Sequence, residues 1–356
     1  MFVYVGSYTE SEAGSGVGIS VFRFEAASGD LSPVQTVTGI ANPSFLALDS
    51  RQRYLYAVEE LDVGGVSAYA RDPETGRLTF LNRQASHGSA PCYVSLDRSD
   101  RYALVANYGS GTVAALPIAV DGRLGPATGV VQHEGSSVDP NRQEGPHAHM
   151  IAPAPAHDGR LVLATDLGTD RILVYRLDDA TGRLDPNDRG PAFAATTPGD
   201  GPRHVAFGPD GRSLYVINEL ASSLTVYDYD GERGELQSRQ TVSSLPDGFD
   251  GANTCAHVAV SPDGGHVYGS NRGHDSIAVW AVDRASGALT VVGHEPTRGQ
   301  EPRNFALDPT GSWLLAANQR SGTIATFRRD PDSGRLAATG AVIETPSPVA
   351  VAFGGD

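Results

Sequence analysis

Short apolar runs, separated by turns rich in glycine and proline, recur along the whole chain. Runs such as "SLYVIN" and "HVYGSN" carry β-branched and aromatic residues and are too short for most helices. The 356 residues include 42 glycines and 23 prolines, which break the chain at short intervals. This pattern predicts an all-β protein.

One repeated unit accounts for most of the pattern. The best-preserved copies read "PRHVAFGPDGRSLYVINELASSLTVYDYDGERGEL", "CAHVAVSPDGGHVYGSNRGHDSIAVWAVDRASGAL" and "PRNFALDPTGSWLLAANQRSGTIATFRRDPDSGRL". Copies start at residues 43, 91, 146, 202, 255, 302 and 348. The intervals between these starts suit the four-stranded blade of a β-propeller.

The two ends of the chain are predicted to complete one blade. The copy that starts at residue 348 has room for a single strand, whereas the segment beginning "FVYVGSYTE" supplies three more. A ring closed in this way leaves no free sheet edge. We therefore expect one domain, residues 1–356, folded as a seven-bladed β-propeller, with blade 1 formed by both chain ends.

The first strand of each blade predicts which side chains line the central channel. One column is small in all seven copies and consists of Ala47, Ser95, Ala152, Ala206, Ala259, Ala306 and Ala352. Side chains alternate along a strand, so the columns on either side of it, which start at Leu46 and Leu48, are predicted to pack between blades.

Polar residues at the start of the first strands and at the end of the second strands are predicted to meet on one rim. They are His149, Arg203, His204, Glu219, His257, Asn271, Arg272, Arg303, Asn304 and Gln319. Blades 1 to 3 carry mostly aromatic residues at equivalent positions, namely Tyr8, Phe45, Glu60, Cys92, Tyr93 and Tyr108. Single polar residues of this kind are usually solvated turns, but their concentration in blades 4 to 7 favours a binding or catalytic site.

Charge and composition limit the classes of binding partner that we expect. The formal net charge of −15 argues against a nucleic-acid surface. The start "MFVYVGSYTE" lacks a basic region and a long apolar segment, so we expect a cytoplasmic protein, a monomer or weak homodimer, with no membrane partner. Cys92 and Cys255 cannot form a disulfide framework and are assigned no chemistry.

Several long segments resemble the seven-bladed propeller lactonase family, which includes bacterial 6-phosphogluconolactonase and the fungal carboxymuconate-cyclising enzyme. They are "NRQEGPHAH", "DLGTDRILVY", "GPRHVAFGPDGRSLYVINEL", "SNRGHDSIAVW" and "EPRNFALDPTGSWLLAANQ". The resemblance implies that His149, Arg203, His204, Glu219 and Arg272 match the family's rim residues. In "CAHV" the chain departs from the family, because His257 stands where relatives often carry an acid.

This residue set suits hydrolysis of a lactone. His149 or Glu219 would be the base that activates water, and Arg203 and Arg272 would stabilise the oxyanion or bind an anionic group. Arg303 is a second candidate for that anion. We predict catalytic roles for His149, Arg203, Glu219 and Arg272, and substrate binding by His204, His257, Arg303, Asn304, Asn271 and Gln319. Within the loop "PHAH", His149 is expected to carry chemistry and His147 to stabilise the loop.

The predicted activity is therefore that of a lactonase, a carboxylic ester hydrolase with 6-phosphogluconolactone as first candidate substrate. No cofactor or metal is predicted, because H-x-H is a weak metal signal and neighbouring arginines would repel a dication. Two alternatives remain open. One is a lactone-forming cycloisomerase of the carboxymuconate type, and the other is a non-catalytic propeller that binds a small anion or a protein.

Overall fold

The computed structural model describes residues 1–10, 15–156 and 158–355. These described residues form 29 β-strands and no helix. None of the described segments is therefore a helix long and apolar enough to cross a membrane. The all-β prediction is confirmed.

The strands form seven antiparallel sheets, which we call blades 1 to 7. Blade 1 begins with β1 (Phe2–Ser7), β2 (Ile19–Phe24) and β3 (Leu31–Val37). Blade 2 contains β4 (Leu46–Leu48), β5 (Tyr54–Glu59), β6 (Gly65–Arg71) and β7 (Leu78–Ala85). Blade 3 contains β8 (Pro91–Leu96), β9 (Tyr102–Asn107), β10 (Thr112–Pro117) and β11 (Gly129–Gln132). Blade 4 contains β12 (Ala148–Pro153), β13 (Leu161–Asp166), β14 (Arg171–Leu177), β15 (Leu184–Pro186) and β16 (Phe193–Ala195).

The remaining blades follow the same plan. Blade 5 contains β17 (Pro202–Phe207), β18 (Ser213–Asn218), β19 (Ser223–Asp230) and β20 (Glu235–Ser243). Blade 6 contains β21 (Thr254–Val260), β22 (His266–Arg272), β23 (Ser276–Val282) and β24 (Leu289–Pro296). Blade 7 contains β25 (Pro302–Leu307), β26 (Trp313–Asn318), β27 (Thr323–Arg329) and β28 (Leu336–Glu344). The last strand, β29 (Pro348–Gly354), returns to blade 1.

The strand order of blade 1 is β29-β1-β2-β3, so both chain ends lie in one sheet as predicted. Val5 pairs with Val351 in this sheet. Each first strand begins within three residues of the predicted repeat start. The fold class is therefore a seven-bladed β-propeller, and the predicted four-stranded blades are confirmed.

The outer strand of blade 4 is interrupted. Both β15 and β16 pair with β14, the first opposite Tyr175 to Leu177 and the second opposite Arg171 to Leu173. Asn187 lies between them and its side chain donates a hydrogen bond to the Pro191 carbonyl, which closes the intervening loop. The sequence repeat did not reveal this division.

Burial along the first strands follows the predicted alternation only in part. The seven small residues from Ala47 to Ala352 are all half-buried, whereas the column that starts at Leu46 and ends at Val351 is buried in all seven strands. The column that starts at Leu48 is half-buried, as the small column is. Of the two flanking columns, only the one that starts at Leu46 is therefore buried as predicted.

Buried aspartates close the turns that follow several first strands. The Asp97 carboxylate accepts hydrogen bonds from the backbone N–H groups of Arg101 and Tyr102, each 2.7 Å long. Asp308 accepts from the Trp313 N–H at 2.7 Å. A carboxylate has enough lone pairs to hold several amides, which makes Asp suited to this position.

Contacts divide the chain into two compact units. The first comprises Met1–Gly39, His204–Asp228 and Ser238–Asp356, and the second comprises Ile40–Arg203 and Tyr229–Gln237. In the second unit, Tyr56 and Val58 of blade 2 share a core with Val94 and Val105 of blade 3. The single-domain interpretation stays a prediction.

The first unit has cores of the same kind. Trp280 of blade 6 packs with Tyr215 and Ile217 of blade 5. Phe305 and Leu314 of blade 7 pack with residues of blade 6. Burial of each large apolar side chain contributes about 1.5 to 3 kcal/mol, so the contacts within each unit hold its sheets face to face.

Candidate functional site

A β-bulge lies at the start of several first strands. The register shifts between Pro91 and Tyr93, between Ala148 and Met150, and between Pro302 and Asn304. The extra residues are Cys92, His149 and Arg303, which occupy the same column of the repeat. A bulge takes one residue out of the regular alternation and redirects its side chain, and bulges are common beside active sites.

In the second unit, His149 is buried among groups from blade 3. Its Nδ1 atom lies 3.6 Å from the Sγ atom of Cys92, and its ring meets the Tyr108 ring edge to face at 5.4 Å. The Cys92 thiol also lies within hydrogen-bond range of the His149 carbonyl, at 3.4 Å. The side chain and backbone of His149 are thus both in contact with Cys92.

The neighbouring His147 has contacts that stabilise its loop. Its ring stacks on Tyr108 at 4.5 Å, its Nδ1 lies 2.9 Å from the Tyr108 carbonyl, and its Nε2 lies 3.2 Å from Glu144. A hydrogen bond from the Glu144 backbone amide and the nearby His147 ring lower the pKa of the Glu144 carboxyl. Arg142 donates to the Tyr108 hydroxyl at 3.2 Å. Tyr108 therefore anchors this loop.

Arg203 also belongs to the second unit and is only 2% exposed. Its carbonyl accepts a hydrogen bond of 2.6 Å from the Thr165 hydroxyl, which is fully buried. This bond fixes the backbone at the start of β17 to blade 4.

In the first unit, Glu219 and Arg272 form an ion pair. The Arg272 Nη2 atom lies 3.0 Å from Glu219 Oε2, and the two side chains are 14% and 5% exposed. The same Nη2 atom donates to the Cys255 carbonyl at 2.9 Å, while the Cys255 N–H donates to the Glu219 carbonyl. The Arg272 Nε atom is buried and has no hydrogen-bond partner among the described residues.

A pair of histidines lies elsewhere in the first unit. The Nδ1 atoms of His204 and His257 are 2.9 Å apart, and the two rings meet edge to face at 5.1 Å. One Nδ1 must donate and the other accept, so the two rings differ in the proton they carry. His257 also packs against the Phe305 ring at 5.1 Å, and Asn304 accepts a hydrogen bond from the Val351 N–H.

The other predicted residues of the first unit have different surroundings. The Arg303 guanidinium lies 5.3 Å from the centre of the Tyr8 ring. Gln319 is half-buried, and its N–H donates to the Glu301 carbonyl. The geometry thus brings four of the predicted residues together as two pairs, Glu219 with Arg272 and His204 with His257.

Asn271 belongs to a structural series. Its side chain donates to the Ser244 carbonyl at 2.7 Å and accepts from the Ser244 hydroxyl at 2.8 Å. Asn107, Asn218 and Asn318 end the second strands of other blades, are fully buried and bond to neighbouring turns in a similar way. This bonding favours a structural role for Asn271, and its assignment to substrate binding stays a prediction.

Three contact residues were not assigned a role from sequence. Cys92 and Tyr108 touch His149, and the Cys255 carbonyl accepts from Arg272. Their one sequence signal was position, because Cys92 occupies the column of His149 and Cys255 directly precedes that column. Tyr108 was noted only as one of the aromatic residues at equivalent positions in blades 1 to 3.

Among the described residues, no group of three or more His, Cys, Asp or Glu side chains is arranged to hold a metal ion. The prediction of metal independence therefore needs a direct test in solution.

Comparisons with known proteins agree over nearly the whole chain. The family model described as lactonase, 7-bladed beta-propeller, matches residues 2–353. A 6-phosphogluconolactonase from Bacillus subtilis is 38% identical over 351 residues, which cover 98% of this chain and 97% of that protein. One from Klebsiella pneumoniae is 33% identical over 322 residues, covering 90% and 91%. The structure of a periplasmic gluconolactonase from Pseudomonas aeruginosa matches with a TM-score of 0.93 and 37% identity, covering 99% of both chains.

Proposed function

Because the chain belongs to the seven-bladed β-propeller lactonases, we propose that it hydrolyses a phosphorylated sugar lactone, with 6-phosphogluconolactone as the first candidate. The relatives from Bacillus and Klebsiella carry the name of this activity. The Pseudomonas relative is named for the unphosphorylated lactone, so the phosphate is the point to be tested.

The observation that carries the proposal is the ion pair of the buried Glu219 with the half-buried Arg272. An adjacent guanidinium favours the ionised carboxylate, which can take a proton from an attacking water. The remaining donors of Arg272 suit the negative charge that develops on the carbonyl oxygen of the lactone. Among the described residues the buried Nε of Arg272 has no hydrogen-bond partner, and an unsatisfied charged donor is costly until an acceptor reaches it.

The second unit contains its own candidate base, His149, and its own candidate cation, Arg203. His149 is an imidazole held by Cys92 and Tyr108, and an imidazole can exchange protons near neutral pH. Arg203 carries a second guanidinium, which we assign to stabilising negative charge in the transition state. In this proposal Glu219 is the first candidate for the base and His149 the second.

Location, assembly and metal dependence are part of the proposal. We propose a metal-independent enzyme that acts in the cytoplasm as a monomer or weak homodimer. Cell fractionation tests the location, which is relevant because the Pseudomonas relative is named periplasmic. Treatment with EDTA should leave activity unchanged, and a loss that divalent ions reverse would contradict metal independence.

The activity is tested with a pH indicator on three substrates, after subtraction of the uncatalysed reaction. These are 6-phosphogluconolactone, δ-gluconolactone and carboxymuconate, each with wild type and with Arg203→Ala. Lactone hydrolysis releases a proton, whereas cyclisation of carboxymuconate takes one up. We expect turnover of the phosphorylated lactone by wild type and a loss of about 100-fold in Arg203→Ala, since a charge-assisted contact contributes up to about 3 kcal/mol. Turnover of carboxymuconate alone would indicate the cycloisomerase, and turnover of none would indicate a binding protein.

A further inference from the structure

We propose that the turn from Asp166 to Asp170 between β13 and β14 positions His149 and Arg203 for the reaction. This inference rests on the proposed function, because it assigns the turn to residues with proposed catalytic roles. The turn, "DLGTD", supplies two buried carboxylates, and its members act through His149 and Arg203 and not on the substrate. Asp166, Asp170 and the preceding Thr165 are therefore positioning residues.

Asp166 holds the chain that leads into His149. Its Oδ1 atom accepts the N–H of His147 at 2.9 Å and the N–H of Thr169 at 3.0 Å. The Leu167 N–H donates in turn to the His147 carbonyl at 3.0 Å. Both bonds act on the backbone two residues before His149, directly beside the bulge of β12.

A buried histidine fixes the other oxygen of Asp166. His133 Nδ1 lies 2.6 Å from Asp166 Oδ2, with side chains 1% and 0% exposed. The His133 Nε2 atom is buried and has no hydrogen-bond partner among the described residues. Asp166 is thereby held at both oxygens.

Asp170 holds the chain that leads into Arg203. Its carboxylate accepts the N–H groups of Gly199 and Gly201, each at 2.7 Å, and the hydroxyl of Ser137. Gly201 lies two residues before Arg203. The Thr165 hydroxyl then binds the Arg203 carbonyl itself.

The turn also packs tightly against the loop before His149. A Cβ atom at Gly168 would lie 1.9 Å from the Gly145 carbonyl oxygen, so only glycine fits there. Two segments from different blades are thus tied to one short turn. A displacement of about 1 Å at a catalytic group can cost about 100-fold in rate, which is the effect expected when these ties are cut.

The test compares Asp170→Asn with Asp97→Asn. Asn tolerates the φ of +51° at position 170 and keeps the shape, but it can accept at only one of its two terminal atoms. Asp97 is a matched control, because it is also buried and accepts three backbone amides, but it follows the end of β8 opposite to Cys92. We expect kcat to fall at least tenfold in Asp170→Asn with little change in KM, and less than about threefold in Asp97→Asn.

Crystal structures of wild type and both variants supply a readout that does not depend on activity. We expect the backbone from Gly199 to Arg203 to shift in Asp170→Asn only. An unmoved backbone, or equal losses of kcat in the two variants, would overturn the positioning role. A shifted backbone together with a wild type that hydrolyses no lactone would support positioning and overturn the proposed function instead.

Thr165→Val provides the test if Asp170→Asn does not fold. It removes one hydroxyl with little change in shape and breaks only the bond to the Arg203 carbonyl. We expect a fall in kcat of at least threefold at unchanged KM. An unchanged kcat in a folded Thr165→Val protein would overturn the role of Thr165.

Discussion

At the scale of single residues, Arg272 and Arg303 differ in the groups that contact their guanidinium groups. Arg272 is engaged by Glu219 and by the Cys255 carbonyl, whereas Arg303 lies over the aromatic face of Tyr8. A guanidinium can bind phosphate in bidentate fashion. Under the proposed function, Arg303 is the residue that we expect to bind the substrate phosphate, separately from the catalytic groups.

We predict that Arg303→Gln selectively weakens binding of the phosphorylated substrate. A lost charge-assisted contact costs about 1.5 to 3 kcal/mol, so KM for 6-phosphogluconolactone should rise about 10- to 100-fold. KM for δ-gluconolactone, which lacks the phosphate, is the internal control and should stay within about twofold. Steady-state kinetics on both substrates decides the point, and equal rises in the two KM values would remove Arg303 from phosphate binding.

His294 predicts a pH dependence of stability. Burial disfavours the charged imidazolium and the neighbouring His274 adds to this, so the pKa of His294 is lowered although its contact with the Ser244 carbonyl opposes the shift. Below about pH 6.5 the unfolded chain takes up a proton that the folded His294 resists, and the free energy of unfolding should fall as pH falls. His266, whose pKa burial and Arg329 also lower, contributes in the same direction.

The measurement is urea unfolding of wild type and His294→Gln between pH 5 and 8. Loss of one titrating group should reduce the slope below pH 6.5 by at most about 1.4 kcal/mol per pH unit. Above pH 7 the slope should not differ between the two proteins. An identical slope in both proteins at low pH would show that His294 does not titrate as argued.

At the scale of strands, the alternation of side chains was readable from the sequence and the bulges were not. The column from Ala47 to Ala352 could be identified because β-strands repeat every two residues and seven copies could be aligned. The extra residue at Cys92, His149 or Arg303 has no sequence signal, since any residue type can occupy a bulge. The contact between Cys92 and His149 depends on this geometry and therefore required the structure.

Asn271 is a second case in which the sequence alone did not decide the role of a residue. Its place at the end of β22 predicted a rim residue, but the hydrogen bonds that bury its amide come from Ser244, 27 residues away. Asparagine can serve a ligand or a turn equally well, so residue type alone did not distinguish the two.

A structural role for Asn271 predicts that Asn271→Ala destabilises the protein without a specific effect on substrate binding, whereas its assignment from sequence predicts a rise in KM. Loss of a buried, bonded amide should lower the free energy of unfolding by about 1 to 3 kcal/mol. Asn107→Ala is the matched control, because Asn107 is equally buried and bonds to the Ser86 carbonyl and the Thr112 hydroxyl. If Asn271 is structural, the free energy of unfolding, measured with denaturant, and KM should change by similar amounts in both variants. A rise in KM confined to Asn271→Ala would support its predicted role in substrate binding.

At the scale of the whole molecule, the repeat carried most of the fold. Seven copies of the repeat, one of them shared between the two chain ends, were sufficient to predict the number of sheets and the pairing of β29 with β1. Closure of the ring pairs sheet edges that would otherwise be exposed. The interruption of blade 4 was not predictable, since β15 and β16 are three residues each and carry no periodic pattern. Long-range ties such as Thr165 to Arg203 likewise join residues that no local pattern relates.

The central claim is that the ion pair of Glu219 and Arg272 carries lactone hydrolysis. The most direct measurement is kcat on 6-phosphogluconolactone for wild type, Glu219→Gln, Arg272→Gln and the double variant, with folding checked by thermal unfolding. A base and its partner acting as one unit predict a loss of about 100-fold or more in each single variant, and little further loss in the double variant. Folded single variants that retain the wild-type kcat would contradict the account.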